Sequence, residues 1–278
     1  MARPRASREP FVMSWRSDFD WAPSERAPGS QLPSGYVEGF AETMPSRYRV
    51  LFDPRAICKH AAISFRRGPR PAYAEVWRAL ADGSAALCVV ADDRPGLLSA
   101  IAAALVSHRL DVITALVFSR ATSHGEVEAV DFLWVRRAEA SDTAPIGADE
   151  VESVGEVLSA ILAGSVSVAE IALQSSPSSP AGDMLVVVAY DPIDEEGRAV
   201  LLVEAPDRPG MLLTITRELF QQGAQIARSL VRTADGRAYN RFELSEFSGH
   251  ALSPDRREQV RAAVVAALAF GDMSPHAI

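Results

Sequence analysis

The sequence carries one tetrapeptide, Asp-Arg-Pro-Gly, at residues 93–96 and again 114 residues later at residues 207–210. Each copy follows a short apolar run, "AALCVVA" in the first and "AVLLVEA" in the second. Each copy is also followed by apolar residues at helical spacing and at matching offsets: Leu98, Ile101, Leu105 and Leu212, Ile215, Leu219. An internal repeat of this kind predicts two copies of one supersecondary unit.

Both copies show the same predicted order of strand, turn, strand, tetrapeptide, helix, two strands and helix. The alternation in "AYAEVWRAL" is typical of a strand, and "MLVVVAY" opens the second copy in the same way. We expect "LDVITALVFSRA" to form one uninterrupted strand. The pattern therefore predicts an α+β fold of two modules, each preceded by an extra strand.

The rest of the chain divides around these two modules. Residues 1–33 are rich in Arg, Pro and Ser and predict a disordered tail, in which "SWRSDFDW" is either incidental or a short docking segment. Asp53 and Pro54 are typical of a helix start. The predicted divisions are a tail (1–33), a short helical segment (34–69), module one (70–164), a linker with a short helix (165–182), module two (183–271) and a C-terminal tail (272–278).

Composition narrows the possible classes of function. The 278 residues carry a net charge of -8, whereas a nucleic-acid-binding domain usually presents a basic face. No apolar run approaches the roughly 18 residues needed to span a bilayer, and no secretory signal is visible at the N-terminus. Two cysteines do not form a disulfide framework. We therefore expect a cytoplasmic protein with no membrane or nucleic-acid partner.

The tetrapeptide has a structural and a ligand-binding interpretation. Asp93 and Asp207 are candidate N-caps, with Pro95 and Pro209 at the first helical position. Glycine inside a first helical turn costs about 1 kcal/mol relative to alanine, so it implies that something approaches the backbone closely. A neighbouring backbone would meet that need. An amino-acid ligand would also do so, with its carboxylate on the free helix amides and its ammonium facing the aspartate.

The repeated pattern, from strand through Asp-Arg-Pro-Gly and helix to two strands and helix, resembles the ACT domain. This family consists of ferredoxin-like βαββαβ modules that sense small molecules, usually amino acids. The sequence is similar to two tandem ACT domains over roughly residues 70–270, and it resembles above all the C-terminal ACT pair of bacterial PII uridylyltransferases. Asp131 matches the family's aspartate in the third strand, and Asn240 takes its place in the second copy.

The resemblance implies an effector site at the loop between the first strand of each module and its helix, often where two modules meet. Carried over to this chain, the implied ligand-binding residues are Asp93, Arg94, Gly96, Leu97, Leu98, Asp207, Arg208, Gly210, Met211 and Leu212. Because Pro206 replaces Asp92 and Asn240 replaces Asp131 in the second copy, we expect the two sites to be unequal.

The catalytic motifs of a uridylyltransferase are missing from this sequence. Its nucleotidyltransferase domain needs a Gly-Ser turn followed by paired metal-binding carboxylates, but the single Asp-x-Asp here is Asp18-Phe19-Asp20 in the tail. Its hydrolase domain needs a His-Asp doublet, and no histidine here precedes aspartate. Cys58 and His60 alone do not make a metal site. We therefore predict a protein that is not an enzyme and has no metal or cofactor.

These observations lead to three hypotheses. The first is a non-catalytic regulatory protein that senses an amino acid, with glutamine suggested by the resemblance, and that acts on a separate regulatory or catalytic protein. The second is an interaction module that forms homo-oligomers or docks a partner without a ligand. The third is a divergent relative of the uridylyltransferases that lacks their catalytic domains.

Overall fold

A computed structural model describes residues 32–122, 125–139, 141–142, 144–175, 186–194 and 196–270. The predicted tail before residue 32, most of the linker after residue 175 and the C-terminal tail after residue 270 lie outside the described residues. Within them, none of the helices combines the length and the apolar character needed to cross a bilayer.

The described chain forms a mixed α+β fold, which confirms the class predicted from the sequence. Its helices are α1 (Tyr36–Thr43), α2 (Ser46–Leu51), α3 (Pro54–Arg67), α4 (Leu97–Ser107), α5 (Ala148–Leu162), α6 (Val168–Ser175), α7 (Met211–Gln221) and α8 (Pro254–Phe270). Its strands are β1 (Ala72–Ala79), β2 (Ala85–Asp92), β3 (Leu110–Leu116), β4 (Ser119–Ala121), β5 (Val127–Arg137), β6 (Val187–Asp191), β7 (Ala199–Pro206), β8 (Ala224–Ala234) and β9 (Arg237–Glu246).

The two repeats share one antiparallel sheet. Eight strands lie in the order β1-β2-β5-β3-β8-β9-β7-β6, and β4 pairs with β5. The halves therefore mirror each other, with the extra strands β1 and β6 at the two edges. They join where β3 lies beside β8, in a pairing that sets Leu116 opposite Leu230. A β-bulge falls at the same point of each copy, between Val112 and Thr114 and between Ile226 and Arg228.

One face of this sheet carries the helices of both repeats. Helices α4 and α7 pack against each other across the junction, and α5 and α8 pack beside them. Helix α4 is buried on every side from Leu97 to Leu105 because α5, α6, α7 and the sheet surround it. A single apolar core therefore runs through both repeats on this face.

The opposite face of the sheet is covered only in the first half. Helices α1, α2 and α3 pack there on an aromatic cluster that includes Trp77, Phe118, Phe132 and Trp134. The segment predicted as short helices thus forms three of them, and α3 begins as expected, with Asp53 accepting hydrogen bonds from the amides of its first turn.

Charge explains why no described element covers the second half of this face. By strand register, Arg241 and Glu243 stand where the first half has Phe132 and Trp134. The Glu243 side chain is 7% exposed and forms ion pairs with Arg198, Arg228 and Arg241. An apolar helix packed on this face would bury the partly exposed Arg228 and Arg241 side chains as well, at a cost in desolvation free energy.

The predicted long strand after α4 is interrupted, and this prediction was wrong. The structure has β3 and β4, separated by Val117 and Phe118. At this point the Phe118 amide donates a weak hydrogen bond to the buried Asp131 carboxylate, 3.4 Å away. The Phe118 ring meanwhile packs on Tyr48 in the aromatic cluster. The corresponding strand of the second repeat, β8, continues without a break.

His60 lies at the centre of the aromatic cluster and makes stability depend on pH. Its ring is fully buried, 4.3 Å from the Phe132 centroid, and its Nδ1 shares a 2.8 Å hydrogen bond with the Tyr48 hydroxyl. Burial lowers the pKa of His60 well below its usual value. Only the unfolded chain therefore gains a proton as the pH falls through about 6.5. Stability rises with pH wherever the unfolded state binds more protons.

We expect the free energy of unfolding to fall by up to about 1 kcal/mol per pH unit below pH 6.5 on account of His60. Urea unfolding of the wild type and of His60→Gln, followed from pH 5 to pH 7.5, isolates this effect from that of carboxyl groups. The stability difference between the two proteins should shrink as the pH falls. A difference that is independent of pH would contradict a buried neutral imidazole.

Candidate functional site

The Asp-Arg-Pro-Gly loops are turns that precede their helices, so the prediction that Asp93 and Asp207 are N-caps was wrong. The Leu97 amide donates to the Arg94 carbonyl at 3.2 Å, and Gly96 has φ 81° and ψ 1°. These are the features of a type II turn in which Pro95 is the second residue and Gly96 the third. The third residue of such a turn must have a positive φ. The second loop repeats them, with Gly210 at φ 76°. Turn geometry therefore requires the glycines.

Each glycine also faces the helix of the other repeat. A Cβ atom built on Gly96 would lie 2.8 Å from Cδ2 of Phe220, which is in α7. At Gly210 the nearest atom is Cγ2 of Val106 in α4, at 4.0 Å. Val106 and Phe220 occupy the same position in the two repeats. The close approach that the sequence implied is thus made by a side chain, and it is tight at the first loop only.

The first loop site is a small cavity between the first Asp-Arg-Pro-Gly loop and the start of the second repeat's strand β8. Its volume is about 20 Å³, which accommodates about one water molecule. All five residues predicted for this loop line it: Asp93, Arg94, Gly96, Leu97 and Leu98. Its other walls come from residues that the prediction of ligand-binding residues left out, including Ser99, Asp131, Phe220, Gln225 and Ile226.

Polar groups in the first loop site lack partners. The Ser99 residue is 3% exposed, and neither its hydroxyl nor Oε1 of Gln225 has a hydrogen-bond partner among the described residues. Buried polar atoms are normally satisfied, so such groups call for an explanation such as a water, an ion or a ligand. In the described part of the chain no side chain caps α4, and the Leu97 amide is used in the turn, so the amides of Leu98 and Ser99 are the ones available to an anion.

The same site carries two carboxyl groups. Asp93 accepts a 2.6 Å hydrogen bond from the Ser119 hydroxyl, and no cationic side chain of the described residues forms an ion pair with it. Burial raises the pKa of Asp131 well above its usual value, and the nearby charge of Asp93 raises it further. A cation in the cavity would favour the charged form of Asp131 and so oppose both causes of its raised pKa. The site therefore combines acceptors for a cation with amides for an anion.

The second loop site is the equivalent place at residues 207–212, and there the aspartate already has a partner. Arg136 donates to Asp207 at 2.5 Å and to Asp111 at 3.1 Å. Thr233 also donates to Asp207, at 3.3 Å, in the place that Ser119 has in the first site. Burial raises the pKa of Asp111, with the charge of Asp207 adding to it and Arg136 opposing it.

The remaining residues predicted for the second loop contribute to packing. Arg208 donates to the Leu268 carbonyl in α8 at 3.2 Å. Met211 and Leu212 are buried in the apolar core at 4% and 7% exposure. The described residues bring together no group of three or more His, Cys, Asp or Glu side chains that could hold a metal ion.

No protein-family profile matches the chain, but curated proteins named bifunctional uridylyltransferase/uridylyl-removing enzyme do. One from Rhodopseudomonas palustris is 26% identical over 67% of this chain, and one from Nitrobacter winogradskyi is 27% identical over 69%. A third, from Gluconobacter oxydans, is 25% identical over 85%. The chain is thus related to these proteins, although it spans only a fifth to a quarter of their length.

Proposed function

We propose that this chain is a non-catalytic regulatory protein whose two ACT modules sense an amino acid, with the effector seated at an Asp-Arg-Pro-Gly loop. The observation that carries the proposal is the group of unsatisfied polar atoms in the first loop site, beside an uncapped helix N-terminus and an unpaired aspartate. The relationship to uridylyltransferases supports a regulatory role, because the sequence lacks the motifs that their catalytic domains require. We also place the protein in the cytoplasm.

The chemistry of the site favours a zwitterion. Asp93 and Asp131 suit an ammonium group, and the amides that open α4 suit a carboxylate. Leu98 and Ile226 supply apolar walls, and the free Oε1 of Gln225 would accept a hydrogen bond from a side-chain amide. Glutamine is accordingly the first amino acid to test.

An amino acid is larger than the present cavity, so a side chain must move to admit it. Phe220 is the candidate, since its ring lies on Gly96 and packs at a tilt against the Phe247 ring, with 5.5 Å between the centroids. Both residues are partly exposed, Phe220 to 42% and Phe247 to 45%. Outward rotation of the Phe220 ring would open the cavity without unfolding the core. We propose that this movement couples ligand binding to the surface beside Phe247, where a partner protein could detect it.

A thermal-shift screen of the full chain against the twenty amino acids tests the proposal. A ligand at 100 times its dissociation constant adds about 2.7 kcal/mol of stability, a shift of several degrees. We expect Asp93→Asn to weaken binding about 10- to 100-fold, because it removes a charged hydrogen-bond acceptor from the ammonium. Asp255→Asn, on the exposed first turn of α8, is the matched control and should bind normally. No shift with any amino acid would count against the sensor.

A second candidate function, the docking of an acidic protein segment, has one supporting observation. A groove of about 290 Å³ lies between α2 and the uncovered half-face of the sheet. Its lining includes Arg47, Arg228 and Arg241, and nearby Val50 is 78% exposed. Burial lowers the pKa of Arg47, with the charge of Arg228 adding to this effect and that of Glu243 opposing it. Glu243 also lines the groove, so three guanidinium groups there face one carboxylate. Failure of the ligand screen would favour this function.

A further inference from the structure

One of the differences between the two loop sites is a pair of residues on neighbouring strands. In the second site, Asp111 at the start of β3 lies opposite Arg136 in β5. The equivalent pair near the first site, in β8 and β9, is Gln225 opposite Ser245. The equivalence is close, since Asp111 and Gln225 are each the second residue of their strand and precede the bulge that both repeats share.

This difference decides the charge at each site. At the second site the Arg136 guanidinium bridges two largely buried carboxylates, whose side chains are 12% exposed at Asp207 and 8% exposed at Asp111. The bonds to Asp207 and Asp111 outweigh the opposing effect of burial and raise the pKa of Arg136. The positive charge that stabilises these two carboxylates thus comes from a side chain of the protein, Arg136.

The first site has the same aspartate, but no arginine of the described residues forms an ion pair with it, although Arg94 also lines the cavity. Asp93 faces the uncharged Gln225 in place of an acid–arginine pair, and it has Asp131 beside it where the second copy has the uncharged Asn240. Two carboxyl groups are therefore present with no guanidinium between them. A ligand ammonium placed here would supply the charge that Arg136 supplies at the second site.

We propose that the chain binds its effector at the first loop site only, one molecule per chain, and that Arg136 closes the second site by standing in for the ligand's ammonium group. The inference rests on the proposed amino-acid sensing. It adds that the first loop site is the one that binds the effector and that Arg136 prevents binding at the second. It further specifies the ligand class as amino acids with a free primary ammonium. Acids without that group, such as 2-oxo acids, should not bind.

Exchanging the two residue pairs tests this proposal on the full chain. Asp111→Gln with Arg136→Ser gives the second site the uncharged pair found at the first, and Gln225→Asp with Ser245→Arg makes the reverse exchange of this pair. Each protein is dialysed to equilibrium against the twenty L-amino acids, and bound amino acids are quantified by mass spectrometry. We expect one molecule per wild-type chain, two in the first double variant, and binding weakened at least about 30-fold in the second.

Further variants keep the test decisive if a double variant fails to fold. Arg136→Lys retains the cation and should still bind one molecule per chain. Asp207→Asn should leave binding unchanged, whereas Asp93→Asn should weaken it. Two molecules per wild-type chain, or loss of binding in Asp207→Asn, would overturn the one-site proposal while leaving amino-acid sensing intact. If the wild type, Asp93→Asn and Asp207→Asn all bound no amino acid, amino-acid sensing itself would be refuted.

Discussion

Replacing Gly96 with alanine is expected to lower the free energy of unfolding by about 3 kcal/mol. The positive φ of 81° alone costs an L-residue about 1–2 kcal/mol. The new Cβ would also lie 2.8 Å and 2.9 Å from two carbons of the Phe220 ring, and overpacking of this kind costs about 1–3 kcal/mol. Urea unfolding at neutral pH measures the loss as a lower midpoint at constant slope.

The internal repeat supplies the control for this prediction. Gly210 has nearly the same φ, 76°, but its nearest neighbour would be 4.0 Å away, which is an ordinary contact. Gly210→Ala should therefore cost only the backbone part, about 1–2 kcal/mol. Adding Phe220→Ala to Gly96→Ala should remove the steric part of the loss. Equal losses at the two glycines would show that the contact with Phe220 contributes nothing.

Replacing Phe132 with alanine is expected to cost about 4 kcal/mol, the other large effect. Phe132 is fully buried, and its ring lies 4.6 Å from that of Phe52, 4.3 Å from His60 and 5.9 Å from Tyr48. Truncation of a large core aromatic costs about 3–5 kcal/mol through lost burial and the cavity left behind. Because the cluster joins α2 and α3 to the sheet, the variant should also loosen both helices.

The equivalent residue of the second repeat, Arg241, is the matched control. It lies on the uncovered half-face, and Glu243 keeps Arg198 and Arg228 as partners without it. Partly exposed ion pairs contribute about 0–1 kcal/mol, so Arg241→Ala should cost less than about 1 kcal/mol. Urea unfolding gives both values, and hydrogen exchange of α2 and α3 separates local loosening from global loss. Similar losses at both positions would mean that the helical cover adds little stability.

Local sequence patterns predicted most elements of the fold because their causes are local. Apolar spacing located α4 and α7, and Asp53 with Pro54 marked the start of α3. The interruption between β3 and β4 escaped prediction, since it depends on contacts of Phe118 with Asp131 and Tyr48, far away in the sequence. The turn at Gly96 was mistaken for a helix start because aspartate and proline are common both in turns and at the first positions of helices.

The sequence predicted only one side of the first loop site. The repeated tetrapeptide identified the five loop residues that line the first cavity, but the facing wall, including Phe220 and Gln225, comes from the other repeat. The offset between the repeats relates Phe220 to Val106 and Gln225 to Asp111. It does not reveal that these residues face the loop of the other copy, since that depends on β3 lying beside β8.

The amino-acid sequence by itself determined the repeat, the order of strands and helices within it, and the turns that need glycine, because backbone sterics and the spacing of apolar residues act over a few positions. Only the tertiary structure decided that the repeats share one sheet, that helices cover one half of its second face, and that Arg136 reaches Asp207. Those outcomes depend on burial and charge between residues that are distant along the chain.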